Sequence, residues 1–226
     1  MTDSAGKQFI KKLLGRIGRK PTPVTAPAYW DAKYSTDDFI YTKTANRFIV
    51  EFCEPMAAGT AIDLAGGEGR NTVWLAERGW QVENVDISEV GLNKCVAFAL
   101  ERGVSDRVRT LCASGANFSS TLAPVDLGIV PYLQVPAELL AASLKNLVSQ
   151  IKPGGRLVGV WHARENLQGG FGGPQDPNVL PSVESMSQLL GSLPLDVQVC
   201  ELRDGQVQTK DGLKPSITLV VNAIVL

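Results

Sequence analysis

The sequence lacks three features that would indicate a function at once: a net charge of one sign, closely spaced cysteines and a long hydrophobic run. Its 226 residues carry 22 Lys and Arg against 23 Asp and Glu, so no overall charge favours nucleic acid as a partner. The four cysteines are scattered without a CxxC pair or zinc-ligand spacing, which indicates reduced thiols and a cytoplasmic location. No apolar stretch approaches the length that spans a bilayer, so we expect no stable membrane insertion.

Short β-rich runs alternate with helical patterns from residue 60 onward. Five of these runs are predicted strands: 60–65, 80–86, 107–113, 125–133 and 156–162. The last has almost no polar interruption, which is typical of a parallel strand covered by helices on both faces. Two more runs, 196–202 and 216–226, close the chain. The pattern predicts an α/β fold: a doubly wound, mostly parallel, Rossmann-like sheet of seven strands with a C-terminal antiparallel hairpin.

Helices are predicted between these strands. Residues 70–78 and 182–191 carry helical patterns, and Ser88 is expected to cap the N-terminus of another helix. A further apolar face runs from Leu140 to Ile151, and KPGG (152–155) is predicted to end that helix.

The chain divides into an arm with a linker, residues 1–27, and a single domain, residues 28–226. Within the arm, QFIKKLLGRIGRK (8–20) places apolar residues on one helical face beside five basic residues. Such a helix can lie on an anionic membrane or engage a partner; the alternative is an arm that docks on its own domain or stays mobile. Residues 28–58 are expected to lie over the carboxyl edge of the first strand as an N-terminal helical lid.

Three glycines follow the first predicted strand in AIDLAGGEGRNTVWLAERGW (61–80). Gly66, Gly67 and Gly69 indicate a sharp turn or a close approach of a ligand to the backbone, because glycine weakens regular structure elsewhere. In doubly wound sheets, ligands bind at this edge. A dinucleotide fingerprint needs a small residue five positions after Gly67, where this chain has Thr72, so that match fails.

Two acidic residues flank the turn. Asp63 lies on the strand before it, where a carboxylate repels a pyrophosphate and attracts an amine or a sulfonium. Asp86 ends the second strand, where it can accept two hydrogen bonds from a ribose. The alternative for each is a helix cap or a turn former.

Together these features resemble the class I S-adenosylmethionine-dependent methyltransferases, over roughly residues 28–226. The resemblance is closest to small bacterial members of tellurite-resistance or thiopurine type. It rests on four ordered motifs: YWDAKYSTDDFIYTKTANRF (29–48), DLAGGEGRNTVWLAERGW (63–80), PYLQVP (131–136) and ENLQGGFGGPQDPNVL (165–180).

The resemblance implies roles for individual residues. Asp63 helps to fix the amino acid end of the cofactor, Asp86 holds its ribose, and Ile87 lies against its adenine. The implied cofactor-binding set further includes Trp30, Tyr34 and Asn46 of the lid, Gly66, Gly67 and Gly69 of the turn, Ser114, Gly115 and Ala116 after the third strand, and Val130. The family usually has an acid where this chain has Ser114, which predicts weaker affinity for the cofactor.

The expected reaction is in-line transfer of a methyl group from S-adenosylmethionine to a small-molecule acceptor, with no metal and no nucleic acid. Tyr132 and His162 are the candidate catalytic residues, with Gln134 nearby in the pattern. His162 is either a general base, with the ordinary pKa of an imidazole, or a structural residue; a thiolate-like acceptor would need no base. The glycine-rich loop (169–173) is either a gate over the acceptor or a plain surface loop.

Two other functions stay open at this point. The first is a cofactor-binding protein without transferase activity that engages a partner or a membrane through its N-terminal arm. The second is an NAD(P)-dependent oxidoreductase, against which Thr72 and the C-terminal pair of strands both count.

Overall fold

The computed structural model describes residues 23–209 and 211–226. Seven strands form one sheet in the order β3-β2-β1-β4-β5-β7-β6. The strands are β1 (Thr60–Leu64), β2 (Gln81–Asp86), β3 (Val108–Cys112), β4 (Val125–Pro131), β5 (Ile151–His162), β6 (Leu195–Thr209) and β7 (Gly212–Val225). The first five strands pair in parallel, and β7 is antiparallel to both β5 and β6. The predicted fold class is confirmed.

Seven helices cover the sheet within the described residues. They are α1 (Pro27–Tyr34), α2 (Arg47–Cys53), α3 (Arg70–Glu77), α4 (Glu89–Glu101), α5 (Ala137–Val148), α6 (Asn166–Gly169) and α7 (Val183–Leu190). On one face of the sheet, Leu144 of α5 packs in a core that includes Ile62 and Leu64. On the other face, Ile49 of α2 packs in a core that includes Ala61, because successive strand residues point to opposite faces.

The ends of two predicted elements differ from the structure. Helix α5 ends at Val148, and KPGG (152–155) lies inside β5, where the register with β4 shifts between Val125 and Leu127. The glycine and proline therefore accommodate an irregular start of a strand rather than the end of a helix. In the predicted linker, Pro23–Thr25 forms a 3-10 turn and α1 begins at Pro27, which suits the first turn of a helix because it has no amide hydrogen to leave unpaired.

The C-terminal hairpin is longer than predicted. His162, the last residue of β5, pairs with Thr218, so residues 204–209 of β6 and 212–217 of β7 extend beyond the carboxyl edge of β5. Helix α2 supports this extension, since Arg203 forms an ion pair with Glu51 at 2.6 Å. The hairpin thereby forms a side wall at the edge where ligands bind in this class of sheet.

The basic stripe of residues 8–20 lies outside the described residues, so its proposed roles stay predictions. Within residues 23–209 and 211–226, we find no helix that is long and apolar enough to cross a membrane.

Candidate active site

The turn between β1 and α3 lies at the centre of the carboxyl edge, where β1 has β2 on one side and β4 on the other. Its backbone is left-handed at Ala65, Gly67 and Gly69, with φ of 59°, 51° and 83°. Gly69 is also the N-cap of α3. A left-handed conformation at a non-glycine residue such as Ala65 is uncommon and costs energy, which marks this turn as a constrained feature.

Both left-handed glycines of the turn contact other side chains closely. A Cβ atom at Gly67 would overlap the hydroxyl of Tyr34 and lie 3.1 Å from its ring carbon Cζ. A Cβ atom at Gly69 would overlap the thiol of Cys95 and lie 2.8 Å from its Cβ. Because these glycines have no side chain, α1 and α4 can pack closely against the turn. They also allow the left-handed backbone of the turn.

Asp63 is fully buried beneath the turn. Its Oδ2 accepts a 2.7 Å hydrogen bond from the hydroxyl of Thr72, whereas its Oδ1 has no hydrogen-bond partner among the described residues. Burial raises the pKa of Asp63 to about 7, although the Thr72 hydroxyl and the charge of Arg70 oppose the rise. A buried carboxylate oxygen without a donor fits a cationic ligand, because such a ligand would supply the missing partner.

Asp86 is buried at the end of β2 and organises the turn. Its Oδ2 accepts from the amide of Gly67 at 3.0 Å, and its Oδ1 accepts from the amide of Ser88 at 2.9 Å. Burial raises its pKa to about 6, while these hydrogen bonds lower it. Each oxygen keeps one lone pair, so the turn-forming interpretation and the ribose-binding one are compatible. The Ser88 side chain caps α4, as predicted, and accepts from the amide of Gly91 at 3.1 Å.

The predicted adenine side lies next to Asp86. The amide of Ala113 donates to the Asp86 carbonyl at 3.0 Å, so the residues after β3 adjoin the end of β2. The Ser114 hydroxyl accepts weakly from the amide of Ala116 at 3.4 Å, and the Gly115 carbonyl accepts from Asn146 at 3.1 Å. Ile87 is half-buried and follows Asp86. The cofactor roles of these residues stay predictions.

Val130 does not lie on the cleft surface. Its side chain is fully buried in the hydrophobic core, with Leu64 and Val85 in the same cluster. Its side chain could therefore affect cofactor binding only through the packing beneath the cleft.

The N-terminal residues are brought to two different places. Tyr34 lies over Gly67 and stacks on Trp30, with 5.7 Å between the ring centroids. Asn46 lies instead at the end of β4, where its amide nitrogen donates to the Tyr132 hydroxyl at 3.2 Å. Asn46 also caps α2, since its Oδ1 accepts from the amide of Phe48 at 2.9 Å.

Glu68, to which the sequence analysis assigns no role, ties the N-terminal segment to the turn. Its buried carboxylate accepts from the amides of Ile40 (3.1 Å) and Tyr41 (3.3 Å) and pairs with Lys94 of α4 at 2.9 Å. Lys94 also donates to the carbonyl of Asp38 at 2.7 Å. The only sequence signal for this role was an acidic residue among the glycines of the turn.

We expect Glu68→Gln to lower the free energy of unfolding by about 2–3 kcal/mol, because it leaves the largely buried ammonium of Lys94 without its counter-charge. Glu101→Gln is the matched control, since Glu101 pairs with Lys43 in solvent and such pairs contribute less than about 1 kcal/mol. Urea unfolding measures both values, and limited proteolysis reports whether residues 35–45 become more accessible. Equal effects of the two variants would contradict the tying role of Glu68.

Tyr132 and His162, the two candidate catalytic residues, lie side by side. Tyr132 follows β4 with a left-handed backbone (φ 64°), and its ring centroid is 4.8 Å from that of His162. Gln134 fixes the histidine backbone, because its Oε1 accepts from the His162 amide at 2.7 Å while its Nε2 donates to the Val179 carbonyl. The structure therefore brings together the three residues that the sequence placed at the acceptor end.

The environment of His162 changes its chemistry. Burial, with a smaller contribution from the charge of Arg70, lowers the pKa of His162 to about 4. The imidazole is therefore neutral at pH 7 and a weak base, so the expectation of an ordinary pKa does not hold. Gly173 packs against the ring, since a Cβ atom there would lie 2.6 Å from His162 Cγ. The predicted gate over residues 169–173 thus lies at the acceptor end, and its opening stays a prediction.

Arg70 is the second residue to which the sequence analysis assigns no role. It begins α3 directly after the glycine turn, and its guanidinium lies 5.7 Å from the ring centroid of Tyr132. The Arg70 side chain forms no hydrogen bond or ion pair among the described residues, and its charge lowers the pKa values of Asp63 and His162. Arg70 therefore stands between the cofactor end and the acceptor end of the site.

Comparisons with known proteins agree with this geometry. Residues 61–155 match a family model described as a methyltransferase domain. The chain is also similar to tRNA 5-carboxymethoxyuridine methyltransferase of Escherichia coli strain K12, with 32% identity over 101 residues. That similarity covers 42% of this chain and 37% of the relative. The matched segment is thus well under half the length of that curated protein.

Solved structures share the fold over most of the chain. Magnesium protoporphyrin IX methyltransferase from Synechocystis PCC 6803, solved with bound S-adenosylhomocysteine, is 16% identical with a TM-score of 0.67, covering 91% of this chain and 100% of that one. The cyclase SpnF is 12% identical with a TM-score of 0.67, covering 91% and 97%. At these identities the likeness concerns the fold alone.

Residues 61–155 thus match a methyltransferase domain, and this match and the shared fold agree with the predicted resemblance to class I S-adenosylmethionine-dependent methyltransferases. The transferase activity and the cofactor of the whole chain are proposals, because the domain match covers residues 61–155 and the solved structures share the fold alone. The narrower resemblance to tellurite-resistance or thiopurine types stays a prediction.

Proposed function

We propose that the protein transfers a methyl group from S-adenosylmethionine to a small-molecule acceptor. The observation that carries the proposal is the unpartnered Oδ1 of Asp63, a fully buried carboxylate oxygen beside the glycine turn. When bound, the cofactor supplies an already activated methyl group on a positively charged sulfur. The protein then has to bind, orient and exclude water, rather than activate the donor.

Different residues of the site would bind the cofactor, exclude water and contact the acceptor. Asp63 faces the cationic end of the cofactor, and Asp86 accepts from the ribose with the lone pairs that its contacts to Gly67 and Ser88 leave free. Tyr34 and Trp30 cover the turn and keep water away from it. Tyr132 and His162 form the wall against which the acceptor lies.

The test is production of S-adenosylhomocysteine from S-adenosylmethionine by the full chain in the presence of a protein-free small-molecule extract of the expression host. We expect turnover that depends on the protein and that falls at least about tenfold in Asp86→Ala, which loses a buried charge-assisted contact of about 1.5–3 kcal/mol. Asp106→Ala, at an exposed position, is the control. Saturable cofactor binding without any turnover would favour the alternative, a cofactor-binding protein without transferase activity.

A nucleic acid acceptor is the second candidate, and the partial similarity to a tRNA methyltransferase favours it. The nearly balanced charge of the chain counts against a nucleic acid acceptor, because proteins that bind a phosphate backbone usually carry a basic surface. Total tRNA as the acceptor in the same assay distinguishes the two: transfer of label to RNA alone would replace the small-molecule proposal.

A further inference from the structure

We propose that the acceptor is a carboxylate, held at the end of β4 by Arg70 and Tyr132 and methylated on oxygen to give a methyl ester. The inference rests on the proposed function and adds the chemical class of its acceptor. It is carried by three features of the same end of the cleft: an unpaired cation, a hydroxyl with its proton to spare and a histidine that is not a base.

The unpaired cation is Arg70. Among the described arginines, only the side chains of Arg70 and Arg107 have neither a hydrogen bond nor an ion pair. Arg107 precedes β3 at the opposite edge of the sheet, whereas Arg70 lies over the Tyr132 ring at the carboxyl edge. A half-buried guanidinium without a counter-charge favours an anionic ligand, and its planar set of donors matches a carboxylate.

The spare proton belongs to Tyr132. Its oxygen already accepts from the Asn46 amide at 3.2 Å, and the nearby Thr218 hydroxyl also favours its ionised form, although burial has the larger effect and raises the pKa of Tyr132. No hydrogen bond among the described residues uses the phenol proton, so the hydroxyl can donate it to a ligand. Together with Arg70, the hydroxyl presents donors to a ligand that brings acceptor atoms, as a carboxylate does.

His162 is poorly placed to act as a base. Its ring packs between Tyr132 and Gly173, and its buried Nδ1 has no hydrogen-bond partner among the described residues, so no carboxylate orients or charges the imidazole. The imidazole of His162 has a pKa of about 4, so it removes a proton poorly from a phenol or from an ammonium group. No carboxylate contributes to the pKa shift of His162. An acceptor that is already ionised at pH 7 needs no base. Carboxylic acids are ionised there, whereas phenols, amines and most thiols are protonated.

The reaction balances without a proton transfer. A lone pair of the carboxylate oxygen forms a bond to the methyl carbon, the bond from that carbon to sulfur breaks, and its electron pair stays on sulfur. The products are a methyl ester and a neutral thioether. His162 then serves as a neutral wall of the pocket rather than as a proton acceptor.

The decisive experiment uses the alkali lability of methyl esters. The full chain is incubated with methyl-labelled S-adenosylmethionine and either the protein-free extract or total tRNA, and the products are then treated with alkali. Esters release the label as volatile methanol, whereas methyl ethers, amines, thioethers and carbon-bound methyl groups keep it. We expect most of the transferred label to become volatile.

Each other result has a distinct meaning. Transferred label that resists alkali overturns the carboxylate acceptor and leaves the proposed methyl transfer intact. No transfer of label and no formation of S-adenosylhomocysteine means that the proposed function fails, and the acceptor inference fails with it.

Two carboxylates could bind Arg70: that of the acceptor and that of the amino acid end of the cofactor. A second measurement distinguishes them. We expect Arg70→Gln to raise the KM for the alkali-labile acceptor by about tenfold or more, with S-adenosylhomocysteine affinity within about threefold of wild type, and Arg70→Lys to recover part of the loss. Arg102→Gln, at the end of α4, is the control. A loss of S-adenosylhomocysteine affinity with an unchanged acceptor KM would assign Arg70 to the cofactor and overturn the acceptor pocket.

Discussion

Gly69→Ala should lower the free energy of unfolding by about 3 kcal/mol or more. Two costs add at this position. The backbone is left-handed, with φ of 83°, which an alanine adopts only at a penalty of about 1–2 kcal/mol. The new Cβ atom would also overlap the Cys95 thiol and lie 3.2 Å from the Cys95 Cα, so α4 would have to move away from the turn.

Gly103→Ala is a matched control for this prediction. Gly103 is also left-handed, with φ of 68°, but a Cβ atom there meets nothing within 4 Å. We therefore expect it to show only the conformational penalty, about 1–2 kcal/mol. Urea unfolding of both variants measures the difference. Equal losses would show that the close approach of α4 to the glycine turn contributes nothing to stability.

Asp63→Asn should weaken the binding of S-adenosylmethionine by about tenfold to a hundredfold, because it removes the charge that faces the cationic end of the cofactor while keeping the size of the side chain. The free protein should at the same time become more stable at pH 8. Burial of Asp63 raises its pKa to about 7, so its ionised form is less favourable in the folded protein than in the unfolded chain.

The ionisation of Asp63 should also make stability and cofactor affinity depend on pH. A carboxyl group with a raised pKa stabilises the fold below about pH 4 and loses that contribution as pH rises towards 7, since the folded state binds the extra proton. A cationic ligand reverses the preference, so cofactor affinity should rise between about pH 6 and 8, and binding near pH 6.5 should release protons. Calorimetric titrations in two buffers of different ionisation enthalpy measure this release. A wild-type affinity that is independent of pH, or the same slope in Asp63→Asn, would contradict the assignment.

The fold and the centre of the site were predictable because their signals are local. Strand periodicity, the glycines of the turn and the acids at the ends of β1 and β2 are all properties of short segments, and the strand order brings Asp63 and Asp86 to one edge. KPGG (152–155) was misinterpreted because the same residues can end a helix or begin an irregular strand, and pairing with β4 decides between the two.

The contributions of Glu68, Arg70 and His162 could not be read from local patterns. Glu68 accepts from residues 27 and 28 positions away, and Arg70 lies over the ring of Tyr132, which is 62 positions away in the sequence. The low pKa of His162 depends on its burial and on Arg70, neither of which the motif around it encodes. Such effects arise from packing between elements that are distant in the sequence.

The most direct test of the account is a calorimetric titration of the full chain with S-adenosylhomocysteine, with NADH titrated in parallel. We predict saturable binding of one molecule of S-adenosylhomocysteine per chain, with an affinity that falls at least about tenfold in Asp63→Asn, and no binding of NADH. Binding of NADH in place of S-adenosylhomocysteine, or no binding of either, would contradict the assignment of the glycine turn and its two carboxylates to a cofactor with an adenosine and an amino acid end.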